Sequence, residues 1–243
     1  MSPYFARDYT GAPFDLFGPA HLAALGIVLL VNLWVVTLRR APAATRQRFR
    51  CILAAVLIVN EAIWHVWNWA TGQWTIQTML PLHLCSVFVF LSAYMLVTRN
   101  YTIYEYAYFL GIGGAIQALL TPDAGIYGFP HLRFFQVIIS HGSIVTAAIY
   151  MTVVEGYRPT WGSLKRVTIG ANLYMLAVAG VNWVLGSNYL FIARKPDTPS
   201  LIDVLGPWPW YIVSIEVFAL VLCLILYLPF AIRDRKASAS AAS

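Results

Sequence analysis

Cys85 and His141 are the residues of this chain whose types and setting suit covalent chemistry. Cys85 lies in the run Leu80-Pro81-Leu82-His83-Leu84-Cys85-Ser86 and His141 in Ser140-His141-Gly142, both inside stretches otherwise fit for hydrocarbon. Titratable groups are costly there, so those that occur face a protein interior and serve a site. A thiol attacks as the thiolate, and in apolar surroundings it needs a base to reach that form. A cysteine with a histidine base is therefore a minimal set for attack on an ester and formation of a thioester. Each residue alone has a plainer reading: a lone buried cysteine packs as a small hydrophobe, and a lone histidine is hydrogen-bonded packing. A shared depth makes the functional reading of both stronger. Cys51, at a membrane edge, and Cys223, among leucines, read as packing.

The elements that must hold this pair follow from composition. The 243 residues are 60% hydrophobic and 11% charged, with mean hydropathy +0.68, where soluble domains average about 25% charged. The reading is an all-α membrane protein, a seven-transmembrane helix bundle over helices 19–38, 50–70, 78–97, 103–121, 133–155, 165–186 and 208–232, in one domain, 1–235. Residues 1–17 read as an interfacial lead-in and 236–243 as a disordered tail. Arg39, Arg40, Arg46, Arg48, Arg50, Arg99, Arg158, Lys165, Arg166, Arg233, Arg235 and Lys236 fall on one side; Arg7, Arg133, Arg194 and Lys195 fall on the other. The positive-inside rule then sets the N-terminus outside and the C-terminus in the cytoplasm, at the cell membrane. The run Gly111-Ile112-Gly113-Gly114-Ala115 lets a neighbouring backbone approach closely.

Topology turns polar residues into depths. Glu61, His65 and Asn68 share one face of the second helix. Cys85 lies roughly 10 Å and His141 roughly 12 Å below the outer surface. Gln117, Gln136, Asn182, Ser214 and Glu216 fall in the same outer half, whereas the inner halves are almost entirely apolar. This asymmetry predicts an outward-facing polar cavity lined by Glu61, His65, Gln117, Gln136, Asn182 and Glu216, with Cys85 and His141 near its floor. His83 points about 200° away from Cys85, so it serves a neighbouring helix, with Glu61 as candidate acceptor. The alternative for Glu61 and His65 is an interhelical clamp. Asp123, after Pro122, reads as a turn residue or a contact at the cavity mouth. His131 and His21 read as interfacial, and Glu105 and Glu155 as wet helix ends.

Several classes are disfavoured. Scattered basic residues do not make a nucleic-acid surface. Three distant cysteines give no disulfide framework, and no HxxxH or paired-Cys spacing supports a metal; no metal and no cofactor is expected. Retinal is excluded because Lys165, Lys195 and Lys236 all lie at or beyond membrane edges.

The central block from Leu80 to Gly142, with Thr121-Pro122-Asp123 and Phe129-Pro130-His131-Leu132-Arg133-Phe134-Phe135-Gln136 running into Ser140-His141-Gly142, resembles the bacterial YwaF-type integral membrane family. That family is related to the eukaryotic transmembrane protein 164 group of phospholipid acyltransferases. The resemblance spans about residues 15–235, with the outer helices matching in hydropathy alone. It implies acyl transfer by Cys85 and His141, with membrane lipids as partners. A more distant branch hydrolyses lipid esters with a threonine in place of the cysteine. The expected function is a lipid acyltransferase or esterase acting through a thioester; a binding or transport protein with an outward polar cavity is the alternative.

Overall fold

The apolar stretches form seven helical rods in a computed structural model, which describes residues 3–196 and 201–241. They are α1 (Pro19–Thr37), α2 (Ala43–Ala70), α3 (Leu84–Thr98), α4 (residues 101–120), α5 (Leu132–Val153), α6 (Trp161–Leu185) and α7 (Trp210–Ala241). Within α4, a π-helical turn at Ala107–Gly111 joins the α-helical pieces Tyr101–Tyr106 and Ile112–Leu120. Such turns commonly mark functional sites.

Cross-helix hydrogen bonds show that the rods alternate in direction. At one end His21 Nε2 donates to the Leu119 carbonyl, Trp67 to Phe5, and Tyr189 to Ile76. At the other, Arg50 donates to Leu96, Tyr101 to Arg158, and Tyr108 to Leu226. These are called the N-terminal and C-terminal ends. α5 is the axis, packed by α1, α2, α3 and α4, and 78% of its apolar window is buried. α6 and α7, at 17% and 6%, expose Ile169, Leu173, Leu176, Trp183, Val217 and Ile225. Apolar side chains facing outward over whole helices suit lipid and not water.

Among the described residues five helices are long and apolar enough to cross a membrane; α3 is a shorter apolar helix. Several boundaries differ from those read off the sequence. α2 begins at Ala43 and not near residue 50, because Thr45-Arg46-Gln47-Arg48 are helix-compatible residues that extend past the apolar run. α3 begins at Leu84 and not near 78. Pro81 lacks an N–H and biases Leu80 away from helical backbone, and the Leu82 N–H turns back to the Leu80 carbonyl instead. The expected disordered tail is helical as far as Ala241, with residues 242 and 243 outside the described ones.

The glycine run behaves as small residues at a helix contact do. A Cβ on Gly113 would lie 2.9 Å from Leu222, and one on Gly114 3.1 Å from Leu84, so α7 and α3 approach α4 closely there.

Candidate functional site

Gly111 fixes the register of the three helices that carry the candidate pair. A Cβ there would lie 3.4 Å from both Phe88 on α3 and Ile144 on α5. α3 and α5 run in parallel and α4 runs against them. Three residues toward the N-terminal end, about 4.5 Å, therefore bring Cys85, Gly114 and His141 to one level, each still near the same side of its helix. Contact at Gly114 agrees, since its Cβ would lie 3.9 Å from Cys85 Sγ. Cys85 and His141 are both half-buried.

Cys85 sits in the first turn of α3 rather than two turns along it, yet it keeps its depth because α3 starts inside the bundle. Two tyrosines hold the segment before it. Tyr189 accepts from the Leu80 N–H and donates to the Ile76 carbonyl, and Tyr174 donates to the Leu82 carbonyl. Neither tyrosine stands out in the sequence; their bonds to the proline-broken backbone depend on the fold.

His141 donates from Nδ1 to the Val137 carbonyl at 2.7 Å. A carbonyl can only accept, so Nδ1 carries the hydrogen and Nε2 of the neutral ring carries a free lone pair. That is the state a general base needs.

The remaining candidates separate. Gln136 is buried and accepts from Arg133, while its backbone carbonyl accepts from Asn60. Gln117, one turn beyond Gly114, makes no side-chain hydrogen bond among the described residues, so its amide is free. Glu61 lies within electrostatic range of Cys85 and of Arg133. Arg133, in turn, acts on His141. It donates to Gln136 and to the Asp123 carbonyl, with its guanidinium 4.1 Å from the Trp64 ring centre. Sequence reading counted Arg133 only as a topological charge and so missed it; the carboxylate of Glu61 in a nearby apolar segment was the clue.

Other expectations are corrected. His83 does not bond Glu61; its Nδ1 accepts from the Leu190 N–H, and its ring packs on Tyr189 and Phe191. Asn182 is fully engaged by the loop after α6, bonding Ser187 and both the N–H and carbonyl of Tyr189. His65 accepts from Trp74 through Nδ1 and faces Glu61 at 3.6 Å through Nε2. Asp123 is exposed, its backbone serving Arg133. Glu216 is half-buried on α7. His21 and His131, at the starts of α1 and α5, are packed inside the protein and not open to headgroups: they are 1% and 0% exposed and hydrogen-bonded on both ring nitrogens. One concavity of about 540 Å³ lies on the flank of α2 under Phe5, and another of about 250 Å³ lies around His21 and Phe134; neither is lined by Cys85 or His141.

Among the described residues no group of three or more His, Cys, Asp and Glu side chains is arranged to hold a metal. No curated protein and no solved structure matches the chain. A family model does match, over residues 16–227, and with the apolar helices it shows that the chain is a membrane protein belonging to the TMEM164 family.

Proposed function

We propose that the chain is a lipid acyltransferase or lipid esterase of the cell membrane that works through a thioester on Cys85. The observations that support this reading are the contacts of Gly114 with Cys85 and of Gly111 with Phe88 and Ile144, from which helix rise brings His141 to about the level of Cys85, and the free Nε2 lone pair of His141. His141 takes the thiol proton as Cys85 Sγ bonds to the acyl carbonyl carbon of a membrane lipid. Collapse of the tetrahedral intermediate breaks the ester C–O bond, and the departing alkoxide receives that proton from His141. A lysolipid hydroxyl or water then attacks the thioester carbon, His141 accepts its proton, and the proton passes to the departing thiolate. The free amide of Gln117, on the Gly114 side of the pair, is the oxyanion donor in this scheme. Seven spans with the N-terminus outside accompany the reading; exposed Arg39, Arg40 and Arg48 at the C-terminal end support it.

An acyl-ester or thiol-reactive lipid probe tests it. Labelling should fall on Cys85 in preference to Cys51 and Cys223, with loss in Cys85→Ala and strong reduction in His141→Ala. Turnover that persists in Cys85→Ala removes the thioester. Absence of turnover in the unmutated protein across lipid classes favours a lipid-binding protein instead.

A further inference from the structure

Cys85 follows a segment that cannot place itself. Residues 80–83 are not helical, and among the described residues no side chain caps α3 at its N-terminus. Pro81 has no N–H, so the backbone here lacks the regular bonding that would fix the next turn. Its polar groups are met from outside. The Tyr189 hydroxyl accepts from the Leu80 N–H at 2.9 Å and donates to the Ile76 carbonyl at 2.7 Å. The Tyr174 hydroxyl, on α6, donates to the Leu82 carbonyl at 2.8 Å. The ring of His83, the cap residue of α3, accepts from the Leu190 N–H and packs on Tyr189 and Phe191. The approach to Cys85 therefore rests on α6 and on the loop that follows it. That loop is held in an unfavourable shape. Leu190 and Phe191 both have left-handed backbone, at φ 59° and 54°, which is costly for a residue with a Cβ. Such backbone persists where the surroundings enforce it, and it clusters at functional sites. Asn182, 5% exposed, supplies part of that enforcement: its amide donates to the Tyr189 carbonyl, and its oxygen accepts from the Tyr189 N–H and the Ser187 hydroxyl. Tyr211 of α7 donates to the Phe191 carbonyl. A plain connection is free to relax out of left-handed backbone; one that must keep Tyr189 against Leu80 is not.

We propose that Tyr189, locked by Asn182, is a positioning residue for Cys85, and that the loop after α6 is a latch that sets the first turn of α3. Its effect on turnover rests on the acyl-transfer reading; its hold on the backbone does not. The latch acts through the backbone of Ile76, Leu80 and Leu82 and through the ring of His83, not through the reacting atoms. Cys85 is two residues past His83 and inside the first turn, so a tilt of that turn carries the thiol with it. Misplacing a reacting group by about 1 Å can cost about a hundredfold in rate. Two hydrogen bonds from one buried hydroxyl thus govern where the nucleophile points. Tyr189 is 0% exposed, so water does not replace that hydroxyl freely.

The test compares Tyr189→Phe, Tyr174→Phe and Asn182→Ala with the unmutated full chain in detergent. Lipid turnover per folded molecule and hydrogen exchange along α3 are both measured. Tyr189→Phe should lower kcat about tenfold or more while KM stays within about twofold. Amides 87–90, which bond the carbonyls of the first turn, should exchange about tenfold faster, with residues 93–98 unchanged. Tyr174→Phe and Asn182→Ala should move both readouts in the same direction by less. Because Tyr189 and Asn182 act through one latch, the double variant Tyr189→Phe, Asn182→Ala should turn over no more slowly than Tyr189→Phe alone. A kcat for Tyr189→Phe within twofold of the unmutated value overturns the proposal, even if the thermal midpoint falls. So does a large fall in kcat with exchange unchanged. If Tyr189→Phe does not fold, Tyr174→Phe and Asn182→Ala decide on the same two readouts. Should the unmutated protein turn over no lipid, local acceleration of exchange supports the latch and overturns the acyl-transfer reading; unchanged exchange overturns the latch as well.

Discussion

At the C-terminal end of the bundle, Glu105 is 1% exposed and accepts from Ser163 and from two nitrogens of Arg166. Glu155 accepts from Tyr150 and stands 3.8 Å from Arg50 and 3.9 Å from Arg99. At the N-terminal end, Glu61 is almost as buried but has no hydrogen bond, His141 keeps one nitrogen free, and Gln117 keeps a free amide. The same residue types thus serve two purposes. Where buried polar groups are saturated they fix one arrangement of helices; where acceptors and donors are left open in low dielectric, they await something else. The difference teaches where to look for chemistry in a chain that is polar at both ends.

The strongest way to break this comparison is to exchange the effects of mutation at the two ends. Cys85→Ala should reduce lipid turnover about a thousandfold or more while leaving the thermal midpoint in detergent nearly unmoved. Glu155→Ala should do the reverse, destabilising by about 3 kcal/mol because Arg50, 11% exposed at its side chain, is left without its counter-charge. Turnover per folded molecule should stay near the unmutated value. A Cys85→Ala protein that melts as early as Glu155→Ala would mean that the first end is also a structural clamp.

A smaller effect sharpens the same point. Arg166→Met leaves the buried Glu105 carboxylate with Ser163 alone, so it should lower the midpoint more than the double variant Glu105→Gln, Arg166→Met, in which no charge is stranded. If the double variant melts lower than the single one, the ion pair itself, and not the stranded charge, governs stability. Smaller again is Ser92 on α3. It is 0% exposed and its hydroxyl has no hydrogen-bond partner. Ser92→Ala should therefore raise stability by about 1 kcal/mol. A lower midpoint would show that this hydroxyl has a partner after all.

How much of this was legible in the sequence follows from what each feature depends on. Helix positions did not need tertiary knowledge, because apolar runs bounded by Arg39-Arg40 or by Gly186 stop where lipid-compatible chemistry stops. The close packing of Gly113 and Gly114 followed from side-chain size alone. The start of α3 was misplaced because hydropathy weighed Leu80 and Leu82 above the backbone effect of Pro81. Glu105 and Glu155 were read as wet, yet their burial depends on Ser163, Arg166, Arg50 and Tyr150 arriving from other helices. Asn182 was assigned to a cavity by depth and His83 to Glu61 by its angle on the helix, but neither depth nor angle names the partner, and both residues turn to the loop at Tyr189 and Leu190. Arg133 was hidden by its usefulness as a topology marker.

The finest distinction between the two ends concerns protons. His131 precedes α5 and is fully buried, with its ring stacked 4.4 Å from Tyr127 and the tilted ring of Tyr9 at 5.0 Å. Its Nδ1 accepts from the Arg133 N–H, so the hydrogen resides on Nε2, which donates to the Ala6 carbonyl and ties down the N-terminal segment. Burial holds its pKa below the ordinary imidazole range, with the Ala6 bond opposing in part. The native state therefore prefers neutral His131. Its contribution is fully present above the unfolded-state value of about 6.5 and is lost as pH falls through the lower folded-state value. Protonation at Nδ1 puts a second hydrogen against the Arg133 N–H and releases the segment. Hydrogen exchange of residues 3–14 should thus accelerate below about pH 6.5, by at most about tenfold per pH unit, relative to His131→Gln measured at each pH. Glutamine keeps a donor and an acceptor but cannot titrate, so its profile should follow intrinsic exchange alone. A ratio that stays flat from pH 8 to 5 would mean that the Tyr127 and Tyr9 contacts, and not the imidazole bonds, hold the segment in place.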